Sequence, residues 1–301
     1  MELKILAIGN SFNQDVMAYL PKVLEEMMPD VRVTVGALYT SSATISMHLE
    51  QYYANEPYTI YNLWKPGASA WERHRKKQGD GWTLVQALES EDWDILLTQD
   101  TSKNVHSDEN IETEIIGKGR ELLRICQRHA KKPFSLLYNH WHSRAAKETY
   151  SEPEMFEKIR RSVHRVSGEL GVQDIIPIGI AVESARTNPA FAELGLGKNM
   201  MHADQVHLAA GFPVLLAAYT TALKIAECCG RKMSGIYGCR WLPTDENCVA
   251  IGCRGEDPAV IGMTHGPSFG ATPEYIRAAQ EIAVLAVRRP DTVTDTKDLL
   301  R

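Results

Sequence analysis

Ile5-Leu6-Ala7-Ile8-Gly9-Asn10-Ser11-Phe12-Asn13-Gln14-Asp15 is the stretch on which the fold turns. An apolar run ends at a glycine, and Val16, Leu20, Val23, Leu24 and Met27 then recur at helical spacing. The run reads as a buried strand and the repeat as the helix that follows it. Ser11 therefore stands at a strand-to-helix turn. A hydroxyl there is accessible and lies beside N–H groups that the helix leaves unpaired. Two roles suit it: a cap on the helix or a nucleophile. The stretch by itself favours the cap.

Outward from this unit the pattern repeats. Val31 to Leu38 alternates like a second strand, and Thr40 to Thr44 is a small-residue turn. Tyr58 to Trp64 reads as a strand in a small excursion, whereas Trp71 to Gly81 is polar and reads as exposed chain. Thr83 to Glu89 is a short helix. Trp93 to Asp100 is a compact apolar strand ending in polar residues, Phe134 to Tyr138 is a strand that runs into Asn139 to His142, and Asp174 to Ile178 is a further strand. Helices are expected over 112–129, 152–170, 210–229 and 271–287.

Strands alternating with helices predict an α/β protein, a three-layer α/β/α sandwich on a five-stranded, mostly parallel sheet. Residues 1–229 form the expected domain, and residues 230–301 an extension packed on it. In such sheets the site lies beyond the carboxyl ends of the strands. That selects Ser11, Tyr39 to Ser42, Gln99, Asp100, Asn139 to His142 and a late loop.

Composition narrows the function. The chain has 301 residues and a net charge of −5, without a long basic run, so nucleic acid and anionic membranes are not expected partners. Met1-Glu2-Leu3-Lys4 does not open a signal-peptide pattern, which predicts a soluble, cytoplasmic protein. Cys126, Cys228, Cys229, Cys239, Cys248 and Cys253 include no Cys-x-x-Cys pair, so reduced thiols are expected. His140 and His142 are a candidate metal pair without a third ligand at diagnostic spacing. No metal and no cofactor is expected.

The late loop contains Asp204-Gln205-Val206-His207 ahead of an apolar helix. A carboxylate three residues before an imidazole can fix the ring through one nitrogen and leave the other to take a proton from a serine. Asp-x-x-His occurs often by chance. Its force here comes from joining a base and its orienter to Ser11.

With these blocks together, the sequence resembles the SGNH/GDSL hydrolase superfamily, closest to a bacterial branch whose first block reads Gly-Asn-Ser-Phe. Gly9-Asn10-Ser11-Phe12 matches that block, with Asn10 where many members have Asp. Asp204 and His207 match the final block. The resemblance implies a flavodoxin-like fold and a serine esterase in which Ser11 is the nucleophile, His207 the general base and Asp204 its orienter. It implies an oxyanion hole of Ser11, Ser42 and Gln99. Ser42 stands where related sequences have Gly, and Gln99 where they have Asn.

The implied substrate is a small ester, in particular an O-acetyl group on a carbohydrate. Tyr39, Ser41, Asp100, Asn139 and Trp141 are candidate substrate contacts, with Trp141 as a sugar-stacking platform or a buried strand-end residue. His48 and Arg186 are further candidates, Arg186 alternatively as a structural ion pair. A thioesterase or lysophospholipase, a non-catalytic binding protein on the same fold and a metal site built from the histidines are the rival readings. A homo-oligomer stays open.

Overall fold

The computed structural model describes residues 1–142, 150–195, 199–201, 205–243 and 272–300. The chain is an α/β protein with a mixed sheet of seven strands flanked by helices. The strands are β1 (Glu2–Gly9), β2 (Arg32–Tyr39), β3 (Ile60–Trp64), β4 (Glu72–Arg75), β5 (Ile95–Thr98), β6 (Ser135–Asn139) and β7 (Asp174–Ile176). Their order across the sheet is β4-β3-β2-β1-β5-β6-β7.

The parallel centre follows the sequence closely. β1 pairs in parallel with β2 and β5, and β5 with β6. Residues Ile5 to Gly9 of β1 are buried on both faces, which is why the strand reads as an unbroken apolar run rather than an alternation.

The strand count is corrected from five to seven at the other edge. β3 runs antiparallel to β2, and β4 antiparallel to β3. β4 is Glu72-Arg73-His74-Arg75, inside the stretch read as exposed chain. It carries no apolar alternation because it is an edge strand, and charged edges are how sheets avoid pairing with other chains.

The chain divides into two compact units. The first comprises Met1–Gln14, Val31–Asn139 and Lys158–Ile175, and so contains the sheet almost entirely. On it, α3 (Ile45–Tyr53), α4 (Leu84–Ser90) and α6 (Lys118–His129) pack together, with α4 against β2. The helix expected over 112–129 is built in pieces: α5 (Asp108–Asn110), a π-helical segment Ile111–Gly117, then α6.

The second unit comprises Asp15–Asp30, His140–Glu157 and Ile176–Arg301. Its described part is a helical cluster. α10 (Phe212–Cys228) packs against α2 (Leu20–Met27), α8 (Ile178–Arg186) and α11 (Pro273–Arg288). α10 is buried from Phe212 through Ala226, as a helix apolar all round must be. α9 (Pro189–Ala192) is a single turn. Two helices run through both units: α1 (Ser11–Met17) and α7 (Glu152–Leu170). Among the described residues, no helix is long and apolar enough to cross a membrane.

Candidate active site

In the first unit, β1 ends at Gly9 and α1 begins at Ser11. The residue between them does the capping. Asn10 is buried, and its Oδ1 accepts the Phe12 N–H at 3.1 Å while its backbone oxygen accepts the Asn13 N–H at 3.1 Å. Its Nδ2 donates to the Ala43 carbonyl at 3.0 Å. Ser11 is thus relieved of the cap role. Among the described residues, neither its N–H nor its hydroxyl makes a hydrogen bond, and the residue is half-buried.

The turn after β2 is sewn to this junction at both ends. The Thr40 N–H donates to the Gly9 carbonyl at 3.3 Å, and the Ala43 carbonyl takes the Asn10 amide at 3.0 Å. Ser41 and Ser42 lie between those ties and are exposed. Ser42 has φ 54°, a left-handed conformation uncommon for any residue but glycine. Among the described residues its N–H also meets no acceptor.

Beneath Gly9 lies a layer of side-chain amides. Gln99 Nε2 donates to Asn10 Oδ1 at 3.2 Å, and Gln99 Oε1 accepts from Asn139 Nδ2 at 3.2 Å. Asn139 Nδ2 also reaches Asn13 Oδ1 at 3.3 Å. Farther along, Asn62 Nδ2 donates to Gln14 Oε1 at 2.9 Å. Gly9 is required here by close approach, because a Cβ on it would sit 2.5 Å from Gln99 Nε2 and 2.7 Å from Asn13 Nδ2.

This arrangement corrects several expectations. Gln99 is wholly buried, and one of the two hydrogens on its Nε2 is used in the bond to Asn10. Of the expected substrate contacts, Tyr39, Asp100, Asn139 and Trp141 are buried and only Ser41 is at the surface. Trp141 is 3% exposed and has no open face on which a sugar could stack. His48 is a core residue: its Nδ1 meets the Tyr58 hydroxyl at 3.0 Å, and burial pushes its imidazole down to about 4.

Asp100 supports the site from below. Burial pushes its carboxyl up to about 6, against the opposing pull of the Thr101, Asn104 and Ile45 donors. The Thr101 N–H meets Oδ1 at 2.5 Å and Asn104 Nδ2 meets Oδ2 at 3.1 Å.

In the second unit the described part of the late loop is a built structure. Met201 and Leu208 form an antiparallel bridge that closes it, and the Ala209 N–H donates to the Met200 carbonyl at 2.9 Å. Arg186 holds the base of this loop. Its Nε donates to the Asn199 carbonyl at 3.0 Å, and Nη1 pairs with Glu183 at 2.6 Å. The structural ion pair, not the substrate contact, is what Arg186 makes.

His142 is buried, and its Nε2 donates to the Val206 carbonyl at 3.1 Å, fixing the residue next to His207. His140 stacks on Phe156 at 5.7 Å. His207 is half-buried. Asp204 lies outside the described residues, as do Cys248 and Cys253. Among the described residues no group of three or more His, Cys, Asp or Glu side chains is placed to hold a metal ion.

Asn13 is the supporting residue that motif reading missed. Asn10 and Asn13 stand three apart at the start of a helix whose first turn is rich in polar residues.

Fold and junction together define an α/β protein with a serine at the end of its first strand that no described residue hydrogen-bonds. The chain belongs to the family described as Domain of unknown function (DUF4886), whose model matches residues 4–234. The crystal structure of a DUF4886 family protein from Bacteroides uniformis ATCC 8492 is similar with a TM-score of 0.71 and 22% identity, over 99% of each chain. That likeness shows a shared fold. The acetylxylan esterase Axe2 from Geobacillus stearothermophilus aligns with a TM-score of 0.47 and 12% identity, over 76% of this chain and 95% of the other. That second likeness has no bearing on chemistry. No curated protein matches the chain.

Proposed function

We propose that this protein is a serine hydrolase of carboxylic esters, with Ser11 as nucleophile, His207 as general base and Asp204 as the group that orients the histidine. The observation that carries the reading is the division of labour at the first junction. Asn10 caps α1, and among the described residues neither the hydroxyl nor the N–H of Ser11 has a hydrogen-bond partner.

In this mechanism Ser11 Oγ attacks the acyl carbon as its proton passes to His207. The carbonyl electron pair moves onto oxygen, and the Ser11 and Ser42 N–H groups are the donors offered to that oxyanion. Collapse breaks the ester C–O bond, and the leaving alkoxide takes the proton from His207. Water then repeats the attack on the acyl-serine, giving its proton to His207 and returning one to Ser11. With Gln99 as the third donor of the hole, loss of any one donor would typically cost ~10²–10³ in rate. The substrate class that the family resemblance implies is a small ester, first among them an O-acetylated carbohydrate.

The test is labelling with a fluorophosphonate probe. Wild type should label and Ser11→Ala should not. Equal labelling of the two, or none of wild type, overturns the reading. Turnover of acetylated oligosaccharides against acyl thioesters and lysophospholipids then separates the substrate classes.

A further inference from the structure

In the second unit, the stretch Thr292 to Thr296 follows α11 without a helix or strand of its own. Its neighbours Asp295 and Lys297 are exposed, yet Thr296 between them is 1% exposed. A polar side chain leaves water only where new hydrogen bonds replace the old ones. The Thr296 hydroxyl donates to the Ser184 carbonyl at 2.8 Å, and the Thr296 N–H donates to Thr187 Oγ1 at 2.8 Å. The Thr296 carbonyl accepts from Asn188 Nδ2 at 3.0 Å, and the Thr294 N–H donates to Ser184 Oγ at 2.9 Å. Ser184 and Asn188 are themselves buried. These bonds close the C-terminal end of α8, where a helix leaves carbonyls unpaired.

The same corner holds the loop that bears His207. Arg186, the last residue of α8, donates through Nε to the Asn199 carbonyl and through Nη2 to Met201 Sδ, both at 3.0 Å. Asn188 caps α9 by accepting the Ala190 N–H at 3.0 Å. Beyond α9, the Asn199 N–H donates to the Ala192 carbonyl at 2.6 Å and the Met200 N–H to the Leu194 carbonyl at 2.7 Å. Asn199 and Met200 have φ 47° and 66°, two consecutive left-handed residues without a glycine. Such a backbone persists only where its surroundings over-determine it, and it clusters at functional sites. The Met201–Leu208 bridge carries the constraint to the residue after His207.

We propose that Thr296 is a positioning residue: it ties the chain end to the α8–α9 corner and, through Arg186 and Asn199, fixes the loop that carries His207. Thr296 lies beyond residues 4–234, which the family model matches. Its effect on catalysis rests on the reading of His207 as general base, whereas its effect on the loop does not.

Hydrogen exchange at the Asn199, Met200 and Ala209 amides, together with the rate at which a fluorophosphonate labels Ser11, tests it. Thr296→Val keeps the side-chain volume and loses the hydroxyl. Asn188→Asp keeps the cap on α9 and loses the donor to Thr296. Each should speed exchange at those amides about tenfold through local opening and slow labelling about tenfold. Thr296→Ser should behave as wild type. Thr83→Ala, which removes the cap of α4 in the first unit, should leave both readouts unchanged. Unchanged exchange in a folded Thr296→Val protein overturns the proposal. So does equally faster exchange in Thr83→Ala, which would mark general destabilisation. Faster exchange with unaltered labelling removes Thr296 from the positioning of the base. If wild type does not label, the ester reading falls, and exchange alone decides whether Thr296 fixes the loop.

Discussion

Gln99 Nε2 donates to Asn10 Oδ1 at 3.2 Å, and that same oxygen accepts the Phe12 N–H at 3.1 Å. One buried oxygen thus joins the end of β5 to the first turn of α1. It removes from Ser11 the capping duty that its position in sequence suggests.

Asn10→Asp should make stability newly dependent on pH. The substitution keeps Oδ1 but replaces Nδ2, which donates to the Ala43 carbonyl at 3.0 Å, by a second acceptor. A buried carboxylate facing a carbonyl has its folded pKa raised above the unfolded ~3.9. The penalty is absent below the unfolded pKa and grows as pH rises through the folded one. Urea denaturation should find the variant weaker than wild type by ~1–3 kcal/mol at neutral pH and nearly equal near pH ~4. An equal deficit at both would contradict the Ala43 contact.

Gly9→Ala should destabilise by overpacking. Its Cβ would meet Gln99 and Asn13, and neither can simply swing away because both are tied to Asn139. A loss of ~1–3 kcal/mol in chemical denaturation is expected. An unchanged midpoint would show that the amide layer is loose.

Asp100 sets a second pH dependence. Its folded pKa of about 6 lies above the ordinary 3.8, so its contribution is fully present below 3.8 and is lost as pH rises through about 6. His48, pushed down to about 4, acts oppositely: its contribution is present above 6.5 and is lost as pH falls through about 4. Comparing unfolding free energies of wild type and Asp100→Asn from acid to neutral pH isolates the carboxyl. The variant's curve should lose the decline that wild type shows across that window. Parallel curves would exclude Asp100 as its source.

Ser42→Gly should stabilise the protein slightly. Ser42 holds φ 54° with an exposed side chain, so glycine relieves left-handed strain while adding freedom to the unfolded chain. The net gain expected is below ~1 kcal/mol by thermal or chemical denaturation. If Ser42 supplies an oxyanion donor, turnover persists in this variant, since the donor is backbone. Abolished turnover of a folded variant would instead point to the Ser42 side chain.

His142→Phe should separate positioning from folding. A planar ring is kept, somewhat larger than imidazole, but the donor to the Val206 carbonyl beside His207 is lost. On the esterase reading kcat should fall by ~10–100-fold with KM little changed, as expected when a base is misplaced. Unaltered kcat in a folded variant would remove His142 from the supporting structure.

Much of this was legible in the chain. The β1–α1 junction, the parallel centre and the polar residues at strand ends follow from period and punctuation, which are local. β4 was not legible, because Glu72 to Arg75 has no apolar face and becomes a strand only through its partner β3. Nor was the inward turn of Gln99 and Asn139, since a polar residue at a strand end looks the same whether it faces solvent or another amide.

The sequence by itself determined that a serine would stand where the first strand meets a helix. Only the tertiary structure decided that this serine is not the cap. The partners that make Asn10 the cap lie 33 and 89 positions away, at Ala43 and Gln99. Periodicity reaches a few residues along a chain, whereas the choice between two adjacent polar side chains is made by which of them finds buried hydrogen-bond partners across the sheet.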